Sequence, residues 1–138
     1  MLVEDNVELL MMLAAVVEHF TTAFIECYSS PQSALMAFSD APGKYELVVT
    51  DFEMPGMNGA ELCRRMREIS PMQKIFLATG SGFFTEDAAQ RIGFTALLNK
   101  PFPLTALQEA LAAAGLESHC ACVARILHPS NNRMTDRL

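Results

Sequence analysis

Five short apolar runs alternate with five stretches of helical period along this chain, and that alternation constrains the fold more than any other feature. Consecutive strands running the same way need a helical crossover between them, so a repeated βα unit builds a parallel sheet covered by helices on both faces. The expected fold class is α/β, a doubly wound parallel sheet. Met1 to Val3 runs straight into Glu4 and Asp5 and reads as the end of a first strand whose beginning is missing. Asn6 suits an N-cap, and Leu9, Leu10, Leu13, Val16, Val17 and Phe20 recur behind it at helical spacing. Thr22 to Cys27 has the β-branched and aromatic composition of a second strand. Ser30-Pro31 then offers a cap and a proline at the first helical position, opening a helix to Phe38.

Tyr45 to Thr50 is the third strand, and its consecutive Leu47, Val48 and Val49 mark burial on both faces. A turn-rich segment follows Asp51, with Pro55-Gly56 suited to a type II turn. Helix three is expected over Gly59 to Ser70, burying Leu62, Met66 and Ile69. Lys74 to Thr79 forms strand four, Gly80 to Gly82 a loop, and Thr85 caps a short helix to Ile92. Strand five covers Thr95 to Leu98. Leu104, Leu107, Leu111 and Ala114 make the stripe of a fifth helix that Gly115 stops. One domain over residues 1–116 is expected; residues 117–138 carry no clear period and read as a tail, poorly ordered or with one helical turn at Val123 to Leu127.

Composition narrows the function classes. Sixteen acidic residues against ten Lys plus Arg give a formal net charge of −6, and the one local basic cluster is Arg64, Arg65 and Arg67. No basic stripe is present to neutralise phosphates, so nucleic-acid binding by this domain is not expected. The longest uncharged apolar run, Leu9 to Val17, falls far short of the roughly 20 residues a bilayer span needs. No membrane contact is expected. Cys27, Cys63, Cys120 and Cys122 form no regular framework, which suits a reducing cytoplasm, and Cys27 and Cys63 are expected to be small buried hydrophobes.

The C-terminal ends of parallel strands emerge along one edge, where open α/β sheets bind their ligands. Strand one delivers Glu4 and Asp5 to that edge, strand three Asp51, strand four Thr79 and strand five Lys100; strand two delivers only Cys27. Three crowded carboxylates repel one another and call for a counter-charge, which a hard divalent cation such as Mg²⁺ provides through oxygen ligands. Three negative charges against one Mg²⁺ and one lysine sum to zero. A phosphoryl group on Asp51 would then meet the metal, the Lys100 ammonium and the Thr79 hydroxyl.

These residues carry a resemblance. Glu4-Asp5, Asp51 with Met54-Pro55 and Asn58-Gly59, Thr79, and Lys100-Pro101-Phe102 stand in the order and spacing of a two-component response-regulator receiver domain, matched from Met1 to Gly115. The resemblance implies a flavodoxin-like (βα)5 sheet with strand order 2-1-3-4-5. It implies a phosphoacceptor that takes a phosphoryl group from phosphohistidine onto Asp51, loses it by a self-catalysed reaction, and switches conformation through Thr79 and Lys100. Mg²⁺ is implied as cofactor, bound by Asp5, Asp51 and the Glu53 main-chain carbonyl, with Glu4 acting through water. The implied partner is a histidine kinase or histidine phosphotransfer domain, the implied location is cytoplasmic, and the helix-four to helix-five face is the one through which the resemblance would allow a dimer. A cis bond before Pro101 is also implied.

Two departures from the family pattern stand out. Leu97 occupies the strand-five position where most relatives carry Tyr or Phe as a switch, and Gly80 rather than Ala follows Thr79. Both are similar to receivers of hybrid histidine kinases, so a fragment of such a longer protein is expected. Two other classes compete. A haloacid-dehalogenase-type phosphatase also places an acid two residues after its nucleophile, as Glu53 is to Asp51, but after its first strand rather than its third. A receiver-like interaction module without phosphorylation is disfavoured by the complete set of acids, Thr79 and Lys100. His119, Cys120, Cys122 and His128 match no closed zinc-site spacing.

Overall fold

A computed structural model describes residues 1–116, and the tail over 117–138, with its expected helical turn and its His and Cys residues, lies outside the described residues. The elements alternate without exception: β1 (Leu2–Val3), α1 (Val7–Phe20), β2 (Cys27–Tyr28), α2 (Pro31–Asp40), β3 (Val48–Thr50), α3 (Gly59–Ile69), β4 (Ile75–Thr79), α4 (Glu86–Ile92), β5 (Ala96–Asn99) and α5 (Leu104–Ala113). Four of the helices open on side chains that satisfy their free amides. Asn6 accepts from Glu8 N and Leu9 N, Ser30 from Ser33 N, Asn58 from Glu61 N, and Thr85 from Ala88 N. Each such cap contributes about 1 kcal/mol and fixes where its helix begins.

The five strands form one parallel sheet in the order β2-β1-β3-β4-β5. Because side chains alternate across a strand, each strand feeds two cores. Val3, Val48, Ile75 and Leu77 meet α2, α3 and α4 through Phe38, Leu62, Met66 and Ala89. Leu2, Val49, Phe76, Ala78 and Leu98 meet α1 and α5 through Leu10, Ala14, Val17, Leu107 and Leu111. Full burial of side chains of this size stabilises by about 1.5–3 kcal/mol each, so the sheet is clamped from both sides.

Several expectations from the sequence need correction. Thr22 to Ile25 is not a strand: pairing with β1 takes in Cys27 and Tyr28, with the Leu2 N–H donating to the Glu26 carbonyl at 2.8 Å, and Phe24 stands 89% exposed with its ring outside the core. β3 starts at Val48, opposite Ile75 of β4, although the Leu47 carbonyl ahead of it still accepts from the Met1 amino group at 2.9 Å. Cys27 is exposed rather than buried, whereas Cys63 is fully buried. Ile69 is exposed at the last residue of α3, where the helix runs out past its packing partners. Met54 and Met57 pack into the core as expected, and Gly56 takes the positive φ of 82° that a type II turn requires.

Candidate functional site

The chain moves from β1 outward to β2, then returns past β1 to β3, and this reversal opens a crevice at the C-terminal ends of β1 and β3. Glu4 and Asp5 leave β1 at that point and Asp51 follows β3 directly. One carboxylate oxygen from each of the three lies within 4.8 Å of the others. Their environments differ: Glu4 is buried, Asp51 half-buried and Asp5 exposed. Burial pushes the Asp51 carboxyl above its ordinary range, the main-chain N–H of Phe52 and the Lys100 ammonium pull it back, and the charges of Asp5 and Glu53 add to the rise. Burial and the neighbouring acids thus both disfavour the charged Asp51 carboxylate, and a cation beside it would favour that form.

Lys100 reaches this cluster from the end of β5, where the Lys100–Pro101 peptide bond is cis. Its ammonium donates to Glu4 Oε2 at 2.6 Å and stands 3.9 Å from Asp51 Oδ1. The second Glu4 oxygen accepts from Asn6 N at 3.1 Å, so Glu4 is held through both oxygens of its carboxylate. The lysine thus prefers the buried carboxylate to the phosphoacceptor candidate, a detail that spacing in the sequence does not reveal. Thr79, the last residue of β4, is 1% exposed and shares hydrogen bonds with Ser81. The Glu53 side chain is exposed and does not join the three converging carboxylates.

The β3–α3 loop that carries Asp51 is shaped from beneath. Gly59, the first residue of α3, donates to the Phe52 carbonyl at 2.8 Å, and its Cα packs directly on the backbone of Asp51. The Phe52 ring meets that of Phe84 from the β4–α4 loop, with centroids 4.6 Å apart. Beside the acids, Glu4 and Lys100 also form one end of an apolar groove of about 460 Å³ between α1 and the start of α5, walled by Leu9, Met12, Val16, Phe102 and Leu104. A second cavity of about 280 Å³ lies at the opposite edge of the sheet, around Thr21 and Gly115, away from the charged residues.

The family model of the response regulator receiver domain matches residues 1–112. The chain belongs to this family. Among curated relatives, the response regulator protein GraR of Staphylococcus aureus (strain JH9) is 28% identical over 104 residues, covering 74% of this chain and 44% of the relative. The chain therefore spans less than half the length of that receiver-containing protein. A receiver domain protein from Clostridium thermocellum superposes with a TM-score of 0.75 at 24% identity, covering 82% of this chain and 90% of the other. A chain of the CheX–CheY–BeF3–Mg²⁺ complex from Borrelia burgdorferi superposes with a TM-score of 0.71 at 18% identity, covering 81% of this chain and 85% of the other. These two likenesses are of fold. Two contacts at the site are not legible in the sequence, the Ser81 bonds to Thr79 and the Phe84 ring against Phe52, because both residues lie in a segment that reads only as a loop.

Proposed function

We propose that this receiver domain accepts a phosphoryl group from phosphohistidine on Asp51 in a Mg²⁺-dependent reaction. The observation that carries the reading is the convergence of the Glu4, Asp5 and Asp51 oxygens within 4.8 Å beside the Lys100 ammonium. All the donors are hard oxygens, and the set carries more negative charge than one lysine balances, which fits Mg²⁺. Asp5, Asp51 and the Glu53 carbonyl would hold it, with Glu4 behind them. When bound, Mg²⁺ supplies positive charge against which the phosphoryl oxygens are stabilised. The Borrelia relative, solved with BeF3 and Mg²⁺, supports the same assignment here.

An Asp51 carboxylate oxygen attacks phosphorus in line as the donor's P–N bond breaks; the electron pair stays on the donor imidazole, which takes a proton from solvent. Lys100 leaves Glu4 for the phosphoryl oxygens, a move of short reach because its ammonium already lies 3.9 Å from Asp51. Charge compensation makes the exchange downhill once the phosphoryl dianion is present. The partner is a histidine kinase or phosphotransfer domain, and the apolar groove ending at Glu4 and Lys100 is placed to seat its helix beside Asp51.

Incubation with acetyl phosphate and Mg²⁺ tests the reading by intact-mass measurement. One base-labile phosphoryl group is expected on the wild type and none on Asp51→Asn. Full labelling of Asp51→Asn refutes the assignment, and multiple turnover of a small phosphate ester would favour a phosphatase instead.

A further inference from the structure

We propose that Ser81 is a positioning residue that holds the Thr79 hydroxyl away from the phosphoacceptor until a phosphoryl group competes for it; this rests on the phosphoacceptor reading of Asp51. Thr79 is 1% exposed, so water does not serve its hydroxyl in place of protein partners. Its bonds close on the residue two positions ahead. The Ser81 main-chain N–H donates to Thr79 Oγ1 at 3.4 Å, and the two hydroxyl oxygens stand 3.2 Å apart. A side-chain oxygen bonded to the N–H two residues on is a local turn that competes with other uses of that hydroxyl.

The proton count gives the arrangement its consequence. Either hydroxyl can donate across the 3.2 Å pair; in the proposed resting state the proton between them is that of Thr79, donated to Ser81 Oγ while Thr79 Oγ1 accepts from the Ser81 N–H, and a hydroxyl has one proton to give. Phosphoryl oxygens only accept. Thr79 therefore bonds a phosphoryl group only by withdrawing its proton from Ser81, and the bond to Ser81 subtracts directly from the free energy of switching. Release is local, because Ser81 sits between two glycines with room around them. A Cβ at Gly80 would approach only Lys100 Cβ, at 4.0 Å, and one at Gly82 would meet nothing. Leu97, beside Leu77 in the sheet, offers no hydroxyl to share this role.

The opposite role for Ser81, a second hydroxyl donor to the phosphoryl group, predicts the opposite sign and so makes the test sharp. Beryllofluoride in the presence of Mg²⁺ stands in for the phosphoryl group, and its affinity is measured by NMR titration for the wild type, Ser81→Ala and Ser81→Thr. Loss of one hydrogen bond from the resting state should tighten binding to Ser81→Ala by roughly two- to tenfold, while Ser81→Thr, which keeps the hydroxyl, stays near the wild type. In the metal-free protein, three-bond couplings should report one Thr79 χ1 rotamer in the wild type and averaging in Ser81→Ala. Unchanged or weaker beryllofluoride binding by Ser81→Ala overturns the proposal, as do unaveraged Thr79 couplings in that variant. Failure of all three proteins to bind beryllofluoride is a different result, and overturns the phosphoacceptor reading beneath it.

Discussion

Gly59→Ala puts a single methyl group against the backbone of the loop that carries Asp51. The added Cβ would lie 2.3 Å from the Asp51 carbonyl oxygen, 3.0 Å from Phe52 Cα and 3.2 Å from the Asp51 carbonyl carbon. Real Cβ atoms essentially never approach closer than 3.0 Å, so something must yield by at least about 0.7 Å. All three neighbours are main chain and cannot swing aside. Either the start of α3 retreats, stretching the 2.8 Å bond from Gly59 N to the Phe52 carbonyl, or Asp51 moves relative to Glu4 and Asp5. Overpacking of this kind costs about 1–3 kcal/mol, and a broken buried hydrogen bond about 1 kcal/mol more. Alanine's better helix propensity offsets about 1 kcal/mol at most, leaving a net loss of about 2 kcal/mol. For a domain of this size that lowers the Tm by about 10 °C. Urea denaturation and calorimetry measure the loss, and a Mg²⁺ titration measures the displaced carboxylate as weaker binding. Gly82→Ala is the control, since its Cβ meets nothing and its stability should hold or rise slightly. A Gly59→Ala protein as stable as the wild type, with the same Mg²⁺ affinity, refutes the argument from close approach.

Asp51→Asn should stabilise the metal-free protein at neutral pH, because burial raises the Asp51 carboxyl and the folded state therefore disfavours its charge. The sign follows from linkage: a raised folded pKa contributes stability that is whole below the ordinary carboxyl range and lost as pH rises through the folded value, so the advantage of the amide should shrink toward zero in acid denaturation series. A gain that grew on acidification would contradict the cause assigned. Arg67→Ala should cost about 1–3 kcal/mol in urea, because its guanidinium donates to the Gly93 carbonyl at 2.6 Å, the Pro71 carbonyl at 2.7 Å and Thr95 Oγ1 at 3.4 Å, joining the end of α3 to the approaches of β4 and β5. Arg67→Lys should recover only part of it, since one ammonium cannot span three separated acceptors; an unchanged midpoint in Arg67→Ala would show these contacts to be solvated away.

The features legible in the sequence are those decided within a few residues. Asn6, Ser30, Asn58 and Thr85 cap helices because their side chains reach amides two or three positions ahead, and that geometry is local. Asp51, Thr79 and Lys100 are legible as a set because a parallel sheet delivers every strand end to one edge. What escapes is decided by neighbours distant in sequence. Thr22 to Ile25 has strand composition, yet strand structure is a property of a pair, and the pairing of β2 with β1 takes in Cys27 and Tyr28. Lys100 falls near three acids on any reading of the sheet, but its preference for Glu4 depends on which carboxylate is buried.

The α1 stripe shows a deeper ambiguity. Periodicity marks Leu9, Leu10, Leu13, Val16 and Val17 alike, whereas the fold buries Leu10 and Val17 and leaves Leu9 42% exposed; on α5 it buries Leu107 and Leu111 and leaves Leu104 55% exposed. Helical spacing alone cannot separate these groups, because a residue meant for the core and one meant for a partner satisfy the same pattern. Part of the surplus is gathered: Leu9, Met12 and Leu104 line the groove that Glu4 and Lys100 also line, while Val7 and Met11 of α1 are exposed outside it. Exposed stripe leucines from two helices share one wall beside Glu4 and Lys100, and under the phosphoacceptor role proposed for Asp51 that wall is where a donor's helix would pack, so here the residues left over from the core, rather than the core itself, bear on the proposed function.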